Sequence, residues 1–272
     1  MNAPIHPATD GAARGPGGVL PSAPMPPALR VIRPHEVVPD LATWVLTEEQ
    51  VPESSPHEIL SERLKHLLRV WAERTGRAVK IGRNLAVRWD RERPQIGLDP
   101  DVYVVEPPPP EGDEVFSLLL WKPGHHPPLL GIELVSPSHP TKDYRTAPLM
   151  YALCGVGELW VLDPRLEGPR SEGRPYRIQI WRRLDENTFA LVQAGEGPAW
   201  SEALQGWVRF VPERRSFDLT SDEEGVDRWL TPEEVAQRRA DAAQRRADAD
   251  RAAREVAQRR IEELEALLAR TR

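Results

Sequence analysis

Leu129-Leu130-Gly131-Ile132-Glu133-Leu134-Val135 is an aliphatic run with Pro127-Pro128 before it and Ser136-Pro137 after it. A run of this length between chain breakers suggests a central strand, buried on both faces. Glu133 interrupts it, and a carboxylate inside an apolar strand is costly unless it is paired or bound to a metal ion. Downstream, a helix-length piece covers about Tyr144 to Leu153 and ends at Gly155, and Glu158 to Asp163 is another short buried strand. Upstream, Val102-Tyr103-Val104-Val105 is a third, with Asp99-Pro100-Asp101 at its head.

Farther out, Ser55-Pro56-His57-Glu58 carries an N-cap serine, a proline at the first helical position and a capping-box glutamate. Ile59, Leu60, Leu64, Leu67, Leu68 and Trp71 follow at helical spacing, and Gly76 suits the far end. Val79 to Trp89 alternates apolar with polar residues, as a strand or hairpin does, and Tyr176–Arg182 with Thr188–Val192 predicts a β-hairpin. Helix, strands, helix, strand, hairpin is the order of a mixed α/β core.

The 272 residues hold 29 prolines, one cysteine (Cys154) and a net charge of −6, with 40% hydrophobic residues. One cysteine excludes a disulfide framework and a Cys-rich zinc cage. Apolar runs fall short of the roughly 20 residues of a membrane span, and no signal peptide opens the chain, so the expected location is cytoplasmic. Residues 1–34, rich in Pro, Gly and Ala, are expected to be a disordered arm, and residues 35–230 the folded domain. Residues 231–272 begin with a capping box, Thr231-Pro232-Glu233-Glu234, and continue in heptads. Their seam is Ala236, Ala240, Ala243, Ala247, Asp250, Arg254, Ala257, Ile261, Leu264 and Leu268, with five alanines and two charges among the ten. Two readings stand for this helix: a coiled coil that joins two copies as a homodimer, or a solvated single helix held by local charge pairs.

An Asp from one strand and a Glu from its neighbour, with a backbone carbonyl and water, form an all-oxygen site suited to Mg²⁺ or Mn²⁺. Asp101 and Glu133 are the candidate pair. The bland alternative has Asp101 capping a turn and Glu133 paired with an arginine. No Walker loop, dinucleotide loop or zinc-ligand spacing is present. Between Arg63 and Arg93 ten basic residues stand against three acidic ones. That run is either a phosphate-binding face or a solvated helix face with ion pairs.

Gly131-Ile132-Glu133-Leu134-Val135-Ser136-Pro137-Ser138, Lys142-Asp143-Tyr144, Tyr151, Gly155-Val156, Glu158-Leu159-Trp160 and Asp163-Pro164 together resemble the signature of the Uma-two family. These are bacterial restriction-endonuclease-like proteins of the PD-(D/E)XK nuclease superfamily. Pro100 to Val105, His57, Ser201-Glu202-Ala203-Leu204 and the Ala/Arg/Glu-rich tail resemble it too. The resemblance implies a restriction-endonuclease-like mixed sheet flanked by helices, and Mg²⁺- or Mn²⁺-dependent hydrolysis of DNA. It assigns Asp101 and Glu133 as metal ligands.

The family pattern expects a lysine two residues after Glu133, where Val135 stands, or four residues after Asp143, where Ala147 stands. Lys142 is the nearest substitute and Arg145 the next; arginine holds its proton too firmly to act as a base. His57, Glu62, Ser136, Asp143 and Tyr151 are the supporting candidates, while Glu58 is expected in its capping role, Cys154 in the core, and His125-His126 as a weak metal signal. The expected activity is an endodeoxyribonuclease with Asp101, Glu133 and Lys142 as its catalytic set. The rival is a catalytically weakened member that binds nucleic acid or protein and oligomerises through its tail.

Overall fold

A computed structural model describes residues 30–46, 55–172 and 175–270. The arm expected over residues 1–34 lies outside the described residues up to 29. Its last residues are ordered, because β1 (Arg30–Ile32) pairs antiparallel with a later strand and buries Ile32. Helix α1 runs Ser55–Thr75 and buries Leu60, Leu64, Leu67, Leu68 and Trp71 of the stripe read from the sequence, whereas Ile59, expected on the same face, is 70% exposed. Gly76 follows at φ 65°, a left-handed conformation that suits glycine.

The alternating segment is two strands rather than a hairpin. Asn84, at φ 50°, turns the chain between β2 (Lys80–Gly82) and β3 (Ala86–Arg88). They enter different sheets: β2 joins β4 (Val102–Val105), whereas β3 pairs with β5 (Ser117–Leu119). Next come β6 (Leu130–Leu134), a π-helical turn at Lys142–Thr146, α2 (Ala147–Cys154) and β7 (Glu158–Leu162). The hairpin is β8 (Ile178–Asp185) and β9 (Thr188–Gly195).

The main sheet has seven strands in the order β1-β9-β8-β7-β6-β4-β2. Only β6 and β7 are parallel neighbours, and the π turn and α2 make the crossover between them. Gly155 closes α2 at φ 85°. Side chains alternate between the two faces. Val102, Val104, Leu130, Ile132, Trp160 and Leu162 pack under α1, and Tyr103, Val105, Leu159 and Val161 pack under α2 and the β3–β5 pair.

Besides β1 and β5, the strands β10 (Ala199–Ser201), β11 (Gly206–Val211) and β12 (Ser216–Thr220) were not foreseen, and these three form a small antiparallel sheet beside α1. Trp71 donates its indole N–H to the Leu204 carbonyl at 2.9 Å, tying helix to small sheet. The family-like Ser201–Leu204 stretch has a structural explanation. Ser201 Oγ and the Glu202 amide donate to buried Glu158, which also pairs with Arg182.

The tail is one helix, α3 (Pro232–Arg270). Its capping box is formed: the Thr231 amide donates to Glu234 at 3.0 Å, and the Glu234 amide donates to Thr231 Oγ1 at 3.3 Å. Beyond the first turns its described side chains are almost all exposed, Ile261 and Leu264 included. Local pairs such as Gln237–Asp241 and Arg260–Glu263 run along it. Among the described residues no helix is long and apolar enough to cross a membrane.

Candidate functional site

The register of β4 against β6 builds the site. Val102 stands opposite Ile132, so Asp101, one residue before β4, comes opposite Glu133 on the α2 side of the sheet. The pair therefore faces the same way. Asp101 Oδ2 accepts the Leu134 amide at 2.6 Å and lies 3.2 Å from His57 Nε2. Glu133 is 2% exposed, and its Oε1 accepts the Tyr151 hydroxyl at 2.9 Å. The other oxygen of each, Oδ1 and Oε2, takes part in no hydrogen bond among the described residues. Gly131 makes this possible: a Cβ there would lie 2.2 Å from a Tyr151 ring carbon. The glycine in the signature thus lets a fully buried phenol reach Glu133.

The π turn delivers the next groups. A π turn places its side chains differently from an α turn and recurs at functional sites. Here it carries Lys142 and Asp143 to the carboxylates. Burial pushes Glu133 well above the ordinary glutamate range, Lys142 opposes this, and Asp101 and Asp143 add repulsion. Asp143, 5% exposed, is raised to about 7 by burial, despite the Lys142 charge and the Ser136 amide. Lys142 is held more firmly protonated chiefly by Glu133, with help from Asp143, Asp101 and Asp99. It stands at the mouth, where solvent reaches it, and makes no direct ion pair among the described residues. Asp99 is the carboxylate that sequence reasoning left out of the site. Its pKa is raised by burial and by Asp101 against the pull of Lys142 and Arg88. Its place in the Asp-Pro-Asp triplet was the available signal.

Not every candidate joins the cluster. Glu62 faces Lys65, His66 and Arg83 at 2.7, 3.4 and 3.7 Å, and these groups outweigh its burial and hold its pKa down. The Ser136 hydroxyl lies 3.2 Å from that of Ser138, so Ser136 reaches the cluster through its amide instead. Val135 and Ala147 are core residues. Cys154 is buried, and His125 is bonded to Glu111 and the Leu119 amide. The basic run also disperses. Arg63, Lys65, Arg74, Arg77, Lys80, Arg83 and Arg93 each pair with a carboxylate of this chain. Most of that charge is spent internally.

Among the described residues no three His, Cys, Asp or Glu side chains are grouped so that they alone could hold a metal ion. The donors at hand are two carboxylates with an unbonded oxygen each, backbone carbonyls and solvent. That set excludes a zinc cage and fits a hard, partly hydrated cation.

A family model described as Uma2, putative restriction endonuclease, matches residues 46–209. The chain belongs to this family. The resemblance read from residues 131–164 is thereby borne out, and every residue of the carboxylate cluster lies inside the matched span. Three later elements, β12, α3 and the loop at 212–215, lie beyond what the Uma2 model covers. No curated protein matches the chain. A solved structure similar to it is a putative nuclease from Anabaena variabilis ATCC 29413, 16% identical. The match covers 58% of this chain and 78% of that one, at a TM-score of 0.38.

Proposed function

We propose that this chain hydrolyses phosphodiester bonds of DNA with a divalent cation, Mg²⁺ or Mn²⁺, held by Asp101 and Glu133. One observation carries the reading: two carboxylates opposed across β4 and β6 on one face, each with an unbonded oxygen, with a lysine in their field. Burial and the repulsion of Asp101 both disfavour the charged form of Glu133, and a bound cation relieves that cost. The ion, when bound, would stabilise negative charge on a phosphate and ease the ionisation of water.

The chain's own groups have separate tasks in this reading. Tyr151 fixes the orientation of Glu133, while the Leu134 amide and His57 fix Asp101. Lys142 supplies the positive charge that the family pattern places at position 135 or 147, and it offsets charge developing on the phosphate oxygens. Asp143, titrating near neutrality, exchanges protons with the water that attacks.

A calorimetric Mn²⁺ titration followed by a plasmid-nicking assay tests this. Asp101→Asn and Glu133→Gln should each weaken Mn²⁺ binding at least tenfold and abolish nicking. Nicking unchanged in both variants would discard the assignment. Mn²⁺ and DNA binding without any cutting would instead favour the weakened, binding-only member.

A further inference from the structure

Beside the carboxylates, at the end of β6, lies a cavity of about 350 Å³ that the family match explains only in part. One side is apolar: Ile59 and Leu60 of α1, Pro137 and Pro164. The segment beyond the family match contributes Arg214, Arg215 and Ser216 to the lining. Arg63 and Arg165 complete the cationic part. His57 and Ser136 belong both to this wall and to the surroundings of Asp101 and Asp143.

Hydrogen-bond accounting singles out this wall. Ser216 is 8% exposed and its hydroxyl has no partner, and the buried Nε–H of Arg63 has none either. Buried donors without an acceptor are uncommon and ask for one. Arg63 and Arg214 already pair with Asp218 and Glu234. Arg165 and Arg215 are exposed and face no carboxylate among the described residues. The cavity thus offers two uncommitted guanidinium groups to an anion and an apolar wall to a flat apolar body, with the two buried unmet donors behind it.

We infer that this cavity holds one unstacked nucleotide of a nucleic-acid strand. Its phosphate lies on Arg165 and Arg215, and its base lies against Ile59, Leu60 and Pro137. The inference rests on the phosphodiesterase reading for the choice of a nucleotide over other anions. The size agrees: the volume is that of a small-ligand pocket, too large for phosphate alone and too small for a base pair. Taking one nucleotide out of a duplex costs a few kcal/mol, and least where the strand is already single or mismatched. Single-stranded, frayed or mismatched positions are therefore the preferred substrate.

Binding of dAMP to the full chain, kept metal-free with EDTA, tests this by calorimetry against deoxyadenosine and inorganic phosphate. dAMP should bind at least tenfold more tightly than either. Arg165→Glu with Arg215→Glu should weaken dAMP at least tenfold, and both positions are exposed, so the thermal midpoint should hold. Ile59→Asp should weaken dAMP but not phosphate. Glu133→Gln should leave dAMP binding within twofold. No dAMP binding, equal affinity for phosphate and dAMP, or indifference to charge reversal would each overturn the pocket. If dAMP binds as stated but no variant or condition gives Mn²⁺-dependent cutting, the pocket stands and the phosphodiesterase reading falls.

Discussion

Replacing Asp143 with Asn should stabilise the metal-free protein, and the gain should grow with pH. The carboxyl is displaced from 3.8 to about 7, first by burial, with the Lys142 attraction only partly offsetting it and Asp101 adding repulsion. Below pH 3.8 both folded and unfolded chains hold the proton, and the group contributes nothing. Between pH 3.8 and 7 the unfolded chain ionises while the folded one keeps its proton, so stability falls by about 1.36 kcal/mol per pH unit. Above 7 both are ionised and the loss levels off at roughly 4 kcal/mol. Asn stays neutral throughout. From pH 5.5 to 8 its advantage over Asp should therefore grow by about 2 kcal/mol. In a domain of this size that is on the order of 4–8 °C in Tm. Thermal unfolding of both proteins in EDTA, followed by circular dichroism at the two pH values, measures it. A difference that stays constant with pH, or a variant less stable at pH 8, would refute the placement of Asp143 among like charges.

Lys142→Met should lower the nicking rate by about 10²–10⁴-fold with little change in Mn²⁺ affinity, since it removes charge stabilisation and no ligand; loss of ion binding without a rate effect would contradict this. Lys142→Arg should recover part of the rate if charge is what matters, and none if a proton must move. Gly131→Ala should cost about 1–3 kcal/mol in urea unfolding, because the new methyl would meet the fully buried Tyr151 ring at 2.2 Å; a neutral result would show that Tyr151 can yield. Shortening the chain after Arg239 keeps Glu234 and its three arginines, Arg63, Arg214 and Arg228, yet removes the exposed Ile261 and Leu264. In sedimentation the full chain should run as a concentration-dependent dimer and the short one as a monomer. Equal masses would leave α3 a solvated single helix.

Local composition determined the elements whose partners lie near in sequence or whose signals are strong. The β4, β6 and β7 runs are short, aliphatic and flanked by breakers; α1 carries an apolar stripe that is buried from Leu60 to Trp71; the α3 capping box is spelled out in four residues. Glu133 stands out in the sequence as a candidate because a charge inside an aliphatic strand needs a reason. Three matters depended on long-range packing. Whether Asp101 and Glu133 share a face is set by the pairing register of β4 with β6, and a slip of one residue would put them on opposite sides. Whether Lys142 replaces the absent motif lysine depends on the π turn, which has no composition signal of its own. The ten cations of residues 63–93 looked like a surface because charge runs carry no record of their partners. Asp218, Asp227 and Glu234, more than 130 residues downstream, account for Arg63 and Arg74. The cavity wall of Arg214, Arg215 and Ser216 is likewise a product of tertiary structure. Its chemistry arises only where β12 comes to rest against α1, at a contact that no local spacing encodes.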